Sequence, residues 1–232
     1  MVFTAEQELK EFTMATRYCN AEDEAVVRKA HELTRDAKTP LEAALNIHRW
    51  VRDHFLFGFT PVDESASETL KGTHGWCVTK TNLQVALCRA AGIPARFHQV
   101  VLTKKVLKGI ASRVMHMAIK EPIWFHPWCE CHLGDRWVAC DLWIDKTTYE
   151  AAINAGILDH SQLPTVDWSG TEDLFLTEPW LKEDRGTMAS YDQVVGDVAA
   201  EFKSIPPVVM NWLVNGSNRH TAKLRRKYSH EA

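Results

Sequence analysis

The sequence predicts an α+β fold, with helices first and an antiparallel β-sheet after them. Three observations carry this reading. Before Gly92, apolar residues recur at three- and four-residue steps behind helix-capping residues. From Arg96 onward the period changes. The runs there are rich in valine, isoleucine and aromatic residues, and turn residues separate them.

The elements follow in order. Asn20 is a candidate cap for a helix that opens with Glu22, Asp23 and Glu24 and runs to Lys38, its acidic start suiting the positive end of the helix dipole. Thr39-Pro40-Leu41-Glu42 forms a capping box with proline at the first helical position, and Ala44, Ile47, Val51 and Phe55 give the next helix one buried face. Ser65 to Glu68 repeats the box and opens a short helix up to Lys71. After Cys77 the stripe Leu83, Ala86, Leu87 and Ala90 marks a further helix, which Gly92 closes and Pro94 forbids from continuing. "RFHQVVL", "VMHMAIK", "FHPWCECHL" and "RWVACDLWI" read as strands. Beyond Asp145, proline and glycine predict loops with short helices, "SYDQVVGDVAAEF" returns to helix, and "RHTAKLRRKY" reads as a solvated terminal helix.

A length of 232 residues favours one domain over 1–232, with a catalytic core at about 38–145 and residues 146–232 covering the cleft. A hydrophobic share of 45%, a charged share of 25% and a net charge of -3 give no case for nucleic acid or an anionic membrane. No run approaches the roughly 20 apolar residues of a membrane span. The opening "MVFTAEQELKEF" lacks a basic leader before an apolar stretch, which reads against a secretory signal. The six cysteines then read as free thiols of a cytoplasmic protein.

One of those thiols stands apart. In "THGWCVTK", Cys77 sits at the head of a predicted helix, where unpaired amides and the helix dipole favour a thiolate. Gly75 lets the chain turn tightly, and the amide of Cys77 itself would point at an oxyanion on an attacked carbonyl. A thiolate of this kind needs an imidazole, and the imidazole needs an orienting group. "FHPWCECHLGDRWVACDLW" offers both. With Gly134-Asp135 as a two-residue turn, alternation puts His126, Trp128, Asp141 and Trp143 on one face. His126 and Asp141 become diagonal neighbours, roughly 7 Å apart between β-carbons.

Cys129, Cys131, Cys140 and Leu142 then share the other face as small core residues, as Cys88 does within its helix. A zinc site of His126, Cys129, Cys131 and His132 is disfavoured, because adjacent ligands on opposite faces of a strand cannot converge; neither metal nor cofactor is expected. His98 reads as a satisfied structural histidine, Glu130 as a structural partner, and His116 as the fallback base. Trp76, Trp124, Trp128, Trp137 and Trp143 fall near the proposed site and suggest either an aromatic core or a rigid apolar cleft.

The residues resemble the transglutaminase-like superfamily of papain-type cysteine enzymes. Ala66 to Arg96, with its Gly-x-Cys turn and its Gly-Ile-Pro-Ala-Arg ending, resembles that family's nucleophile block; "HPWCECHLGDRWVACD" is similar to its second block, and "TPLEAALNIHRWVRDHF" to its lead-in helix. The resemblance covers roughly residues 38 to 145 and implies Cys77 as nucleophile, His126 as base and Asp141 as orienter. Two departures alter the cleft wall: Leu142-Trp143 stands where the family commonly has Pro-Thr, and Pro127 where it has a small residue. The expected activity is hydrolysis of an amide or related carbonyl in a small-molecule or peptide substrate. Transamidation, carbon–carbon or thioester cleavage, and a non-catalytic binding module are the alternatives. Trp76 and His74 are candidates for a second oxyanion donor, with Trp128 and Trp143 as cleft candidates.

Overall fold

The computed structural model describes residues 9–229. Helix α1 spans Glu24–Thr34 and α2 spans Pro40–His54. The first cap is Asp23, whose side chain accepts the Ala25 amide at 2.9 Å. Asn20, expected in that role, instead ties the start of the chain to Ser67, its amide donating to Oγ at 2.8 Å. The helix also stops at Thr34, short of Lys38. Thr39 caps α2 as predicted, although Glu42 reaches back to the Lys38 amide rather than that of Thr39. Helix α3, Ala66–Thr69, has the full reciprocal box between Ser65 and Glu68.

Strands β1 (Leu56–Phe57) and β2 (His74–Gly75) form a short parallel pair directly ahead of α4, Cys77–Ala90. Helix α4 is the centre of the molecule. Every residue from Cys77 to Arg89 is buried, because α1, α2 and α3 pack around it and strand β4 lies against it. It ends at Gly92, whose φ of 76° supplies the left-handed step.

The main sheet has the order β5-β4-β3-β6 and is antiparallel throughout: β3 Ala95–Leu102, β4 Ile123–Leu133, β5 Arg136–Cys140 and β6 Leu181–Met188. The β4–β5 turn is Gly134-Asp135, with Leu133 opposite Arg136 and Cys129 opposite Cys140. Two sequence expectations fail in this region. "VMHMAIK" is not a strand: Arg113–Ala118 form helix α5, because the Ser112 hydroxyl caps the Met115 amide at 3.2 Å. Conversely, the charged stretch Leu181–Met188 is an edge strand, held by backbone pairing to β3 rather than by an apolar face.

Beyond the sheet come α6 (Lys146–Asn154), α7 (Asp192–Lys203) and α8 (Pro207–Tyr228). The basic end of α8 is only partly solvated. Buried Arg225 donates to the Phe57 carbonyl at 3.1 Å and the Thr148 hydroxyl at 2.9 Å, locking α8 to β1 and α6. Among the described residues no helix is long and apolar enough to cross a membrane.

Candidate active site

The β1–β2 pair fixes the entry to α4. Gly58 donates to the Gly75 carbonyl at 3.1 Å, and the Trp76 amide donates to the Thr79 hydroxyl at 3.2 Å. Gly75 does not have a positive φ; what matters is its missing side chain. A β-carbon there would stand 2.8 Å from Lys80 Cγ and 3.2 Å from Thr79 Oγ1, so only glycine lets the strand run this close to the first turn of α4. Cys77 is therefore the first residue of the helix, where backbone amides have no intrahelical acceptor.

His126 lies on β4 where its pairing with β3 slips by one residue, between Val100↔His126 and Leu102↔Ile123. A bulge of this kind re-aims side chains next to it. Asp141 is the residue just past β5. Its amide donates to the Leu174 carbonyl at 3.0 Å, so the carboxylate is placed by both the hairpin and the 174 segment. The two side chains meet within the buried interior: His126 Nε2 is 3.4 Å from Asp141 Oδ1. This is an ion-pair separation rather than an aligned hydrogen bond, since Oδ1 has no hydrogen-bond partner among the described residues. Thr177 completes the group. Its hydroxyl donates to Asp141 Oδ2 at 2.8 Å and lies 3.4 Å from His126 Nε2. Nothing in the sequence pointed to Thr177, which sits in a proline-punctuated loop far along the chain.

Burial alone would lower the His126 imidazole. The Asp141 carboxylate, followed by the Cys77 thiol, outweighs burial and holds His126 up at about 10. The carboxylate thus favours the protonated ring, which lies between Asp141 and the Cys77 sulfur.

Cys77 and His126 both line an apolar cavity of about 430 Å³. Its walls include Phe59, Trp76, Phe125, Trp143 and Phe202, with residues of α7 and α8 on one side. Trp124 also lines it, whereas Trp128 does not: that indole packs against His98 and Phe175. Trp137 lies elsewhere, under the Arg96 guanidinium. His74 is outside the cavity too, its Nδ1 3.0 Å from the Thr73 hydroxyl. The buried Trp76, Trp128 and Trp143 indole N–H groups have no acceptor among the described residues.

The remaining candidates are structural. His98 bridges Glu130 and Asp184, each at 2.7 Å, and Arg96 holds the other oxygen of Glu130. His116, on α5, accepts from or donates to no catalytic group; its Nε2 meets the Lys104 carbonyl at 3.1 Å. Cys129, Cys131 and Cys140 place their sulfurs within 4.8 Å of one another, and Cys88 joins at 3.7 Å from Cys131. These three are the residues that could hold a metal ion among those described. His126 and His132 do not belong to the group. Burial and the neighbouring thiols push Cys129 and Cys140 well above the usual thiol range, while hydrogen bonds from Cys129, Cys140 and Cys88 hold Cys131 well below it.

A family model for the transglutaminase-like superfamily matches residues 27–142, half of the chain. The chain belongs to the transglutaminase-like superfamily. No curated protein matches it in sequence. Among solved structures, this superfamily member is similar to a Cytophaga hutchinsonii protein provisionally described as a cysteine protease. The match has 19% identity and a TM-score of 0.51, covering 80% of this chain and 48% of that one. A Parabacteroides distasonis protein provisionally described as a protease matches at 12% identity and a TM-score of 0.37, over 57% and 25%. The chain thus spans about half the length of the first of these structures, and the likeness is one of fold.

Proposed function

We propose that the protein is a cysteine-dependent hydrolase of an amide or related carbonyl, with Cys77 as nucleophile, His126 as proton carrier and Asp141 as its orienting carboxylate. The observation that carries the reading is the meeting of the His126 ring with a helix-head cysteine at the wall of one cavity, the ring's Nε2 turned to a buried carboxylate. With Nε2 so engaged, Nδ1 is the ring nitrogen left for sulfur.

The steps follow from these positions. With the Cys77 proton passed to His126, the sulfur adds to the carbonyl carbon as a thiolate, and the carbonyl electron pair moves to the oxygen, which the Cys77 amide stabilises at the positive end of α4. The buried, unpartnered Trp76 indole N–H is the best second donor, since it lines the same cavity and has no other acceptor. The carbon–nitrogen bond then breaks, and His126 gives its proton to the leaving amine. Water attacks the thioester while the now neutral ring takes its proton. The carbon–sulfur bond breaks, its electron pair returns to sulfur, and the carboxylic acid leaves. Thr177 holds the second oxygen of Asp141, which keeps the carboxylate aimed at the ring. Transfer to an amine instead of water uses the same groups.

Iodoacetamide labelling followed by peptide mapping tests the assignment. Rapid modification of Cys77, slowed in His126→Ala, is expected. Labelling spread over the other cysteines with Cys77 unreacted would defeat it.

A further inference from the structure

The cavity beside Cys77 says which part of a substrate it holds. Its interior is hydrocarbon and aromatic: Phe59, Trp76, Phe125 and Phe202 form a connected cluster, with ring centroids 5.5 to 6.3 Å apart. Leu102, Ile123, Met210 and Leu213 extend the lining. The charges that line it neutralise one another. Lys120 pairs with Glu201 at 2.9 Å, and Lys203 with Asp63 at 3.4 Å. The Trp124 indole also donates to Glu201, at 3.3 Å. Lys120 and Lys203 keep most of their surface in solvent, so these pairs mark the mouth of the cavity, and a charged group placed among the interior rings would lose its hydration without compensation. At about 430 Å³ the space is within the range of small-molecule sites.

We propose that this cavity is the acyl-binding site, and that the acyl group is an uncharged hydrocarbon chain or ring rather than a charged or peptide-like one. The inference rests on the hydrolase reading above. It assigns the cavity to the acyl side because the acyl group stays bonded to Cys77 through the thioester stage, and Cys77 is part of the cavity wall. The leaving amine departs before that stage and needs no such chamber.

Para-nitrophenyl esters test it on the whole protein, because they vary the acyl group at a constant leaving group. Sulfur displaces nitrophenolate, and water then releases the carboxylic acid. From acetyl through butanoyl to octanoyl, kcat/KM should climb by about fourfold per methylene until the cavity is full. The succinyl half-ester should react far more slowly than butanoyl. Ala199→Leu, on α7, and Val214→Phe, on α8, each narrow the cavity and should lower the octanoyl-to-acetyl ratio. Cys77-dependent hydrolysis that is flat with chain length, that favours succinyl, or whose ratio neither variant moves overturns the acyl-site assignment while leaving the hydrolase reading in place. Absence of Cys77-dependent hydrolysis with every ester overturns the hydrolase reading, and this inference with it.

Discussion

Replacing Asp141 by asparagine removes the carboxylate that faces His126 and keeps a side chain of nearly the same shape. In the folded protein, burial lowers the imidazole while Asp141, supported by Cys77, raises it from 6.5 to about 10. A difference of that size corresponds to roughly 5 kcal/mol in favour of the protonated ring. Both side chains are buried, so solvent screens little of it. Without the carboxylate, burial has the upper hand, and the ring's titration midpoint should fall by roughly three pH units or more. Stability changes with it. Because the folded value lies above the unfolded one, the stabilisation from protonated His126 is complete below 6.5 and is lost as the pH rises through about 10. Asp141→Asn should therefore be most destabilised relative to wild type at acidic to neutral pH, and the gap should close toward pH 10. Ring-labelled histidine NMR follows the midpoint, and urea unfolding on either side of the window follows the stability. A wild-type ring that titrates at its ordinary value, or a variant ring that titrates where wild type does, would refute the electrostatic reasoning.

Cys77→Ala and His126→Ala should each abolish ester hydrolysis, and the double variant should be scarcely worse than either alone, because the groups act as one unit; additive losses in steady-state rates would separate them. Thr177→Val strands Asp141 Oδ2 without its 2.8 Å donor and should cost about 1–3 kcal/mol in urea unfolding, with Thr177→Ser restoring most of it. Gly75→Ala forces a β-carbon to within 2.8 Å of Lys80 Cγ in a buried turn. A loss of about 1–3 kcal/mol is expected, together with slower Cys77 alkylation as the helix start is displaced.

What the sequence makes legible depends on how local the cause is. Helix α4 announces itself through its apolar stripe, Gly92 and Pro94, and the β4–β5 register follows from Gly134-Asp135 and side-chain parity. That same parity sends Asp141 toward the face of His126. Less local causes are hidden. Asn20 looks like a cap until Ser67, from a distant segment, takes its side chain and Asp23 does the capping. Strand β6 is charged and exposed, and only its backbone pairing with β3 makes it a strand. "VMHMAIK" carries strand-like residues, yet the Ser112 cap two residues ahead decides for helix. Thr177 and the Leu174 carbonyl reach Asp141 across more than thirty residues, helix α6 among them, with no spacing rule to reveal them. Gly75 is legible as the residue of a tight turn, but the cause, the missing β-carbon beside Lys80 and Thr79, shows only in the packing.

The most direct test of the account is the intact mass of the protein caught within moments of mixing with an octanoyl ester. One octanoyl group on Cys77, located by peptide mapping, absent in Cys77→Ala and greatly slowed in His126→Ala, is the predicted result. An unmodified protein that still releases product, or an adduct that persists on another residue when Cys77 is alanine, would contradict it.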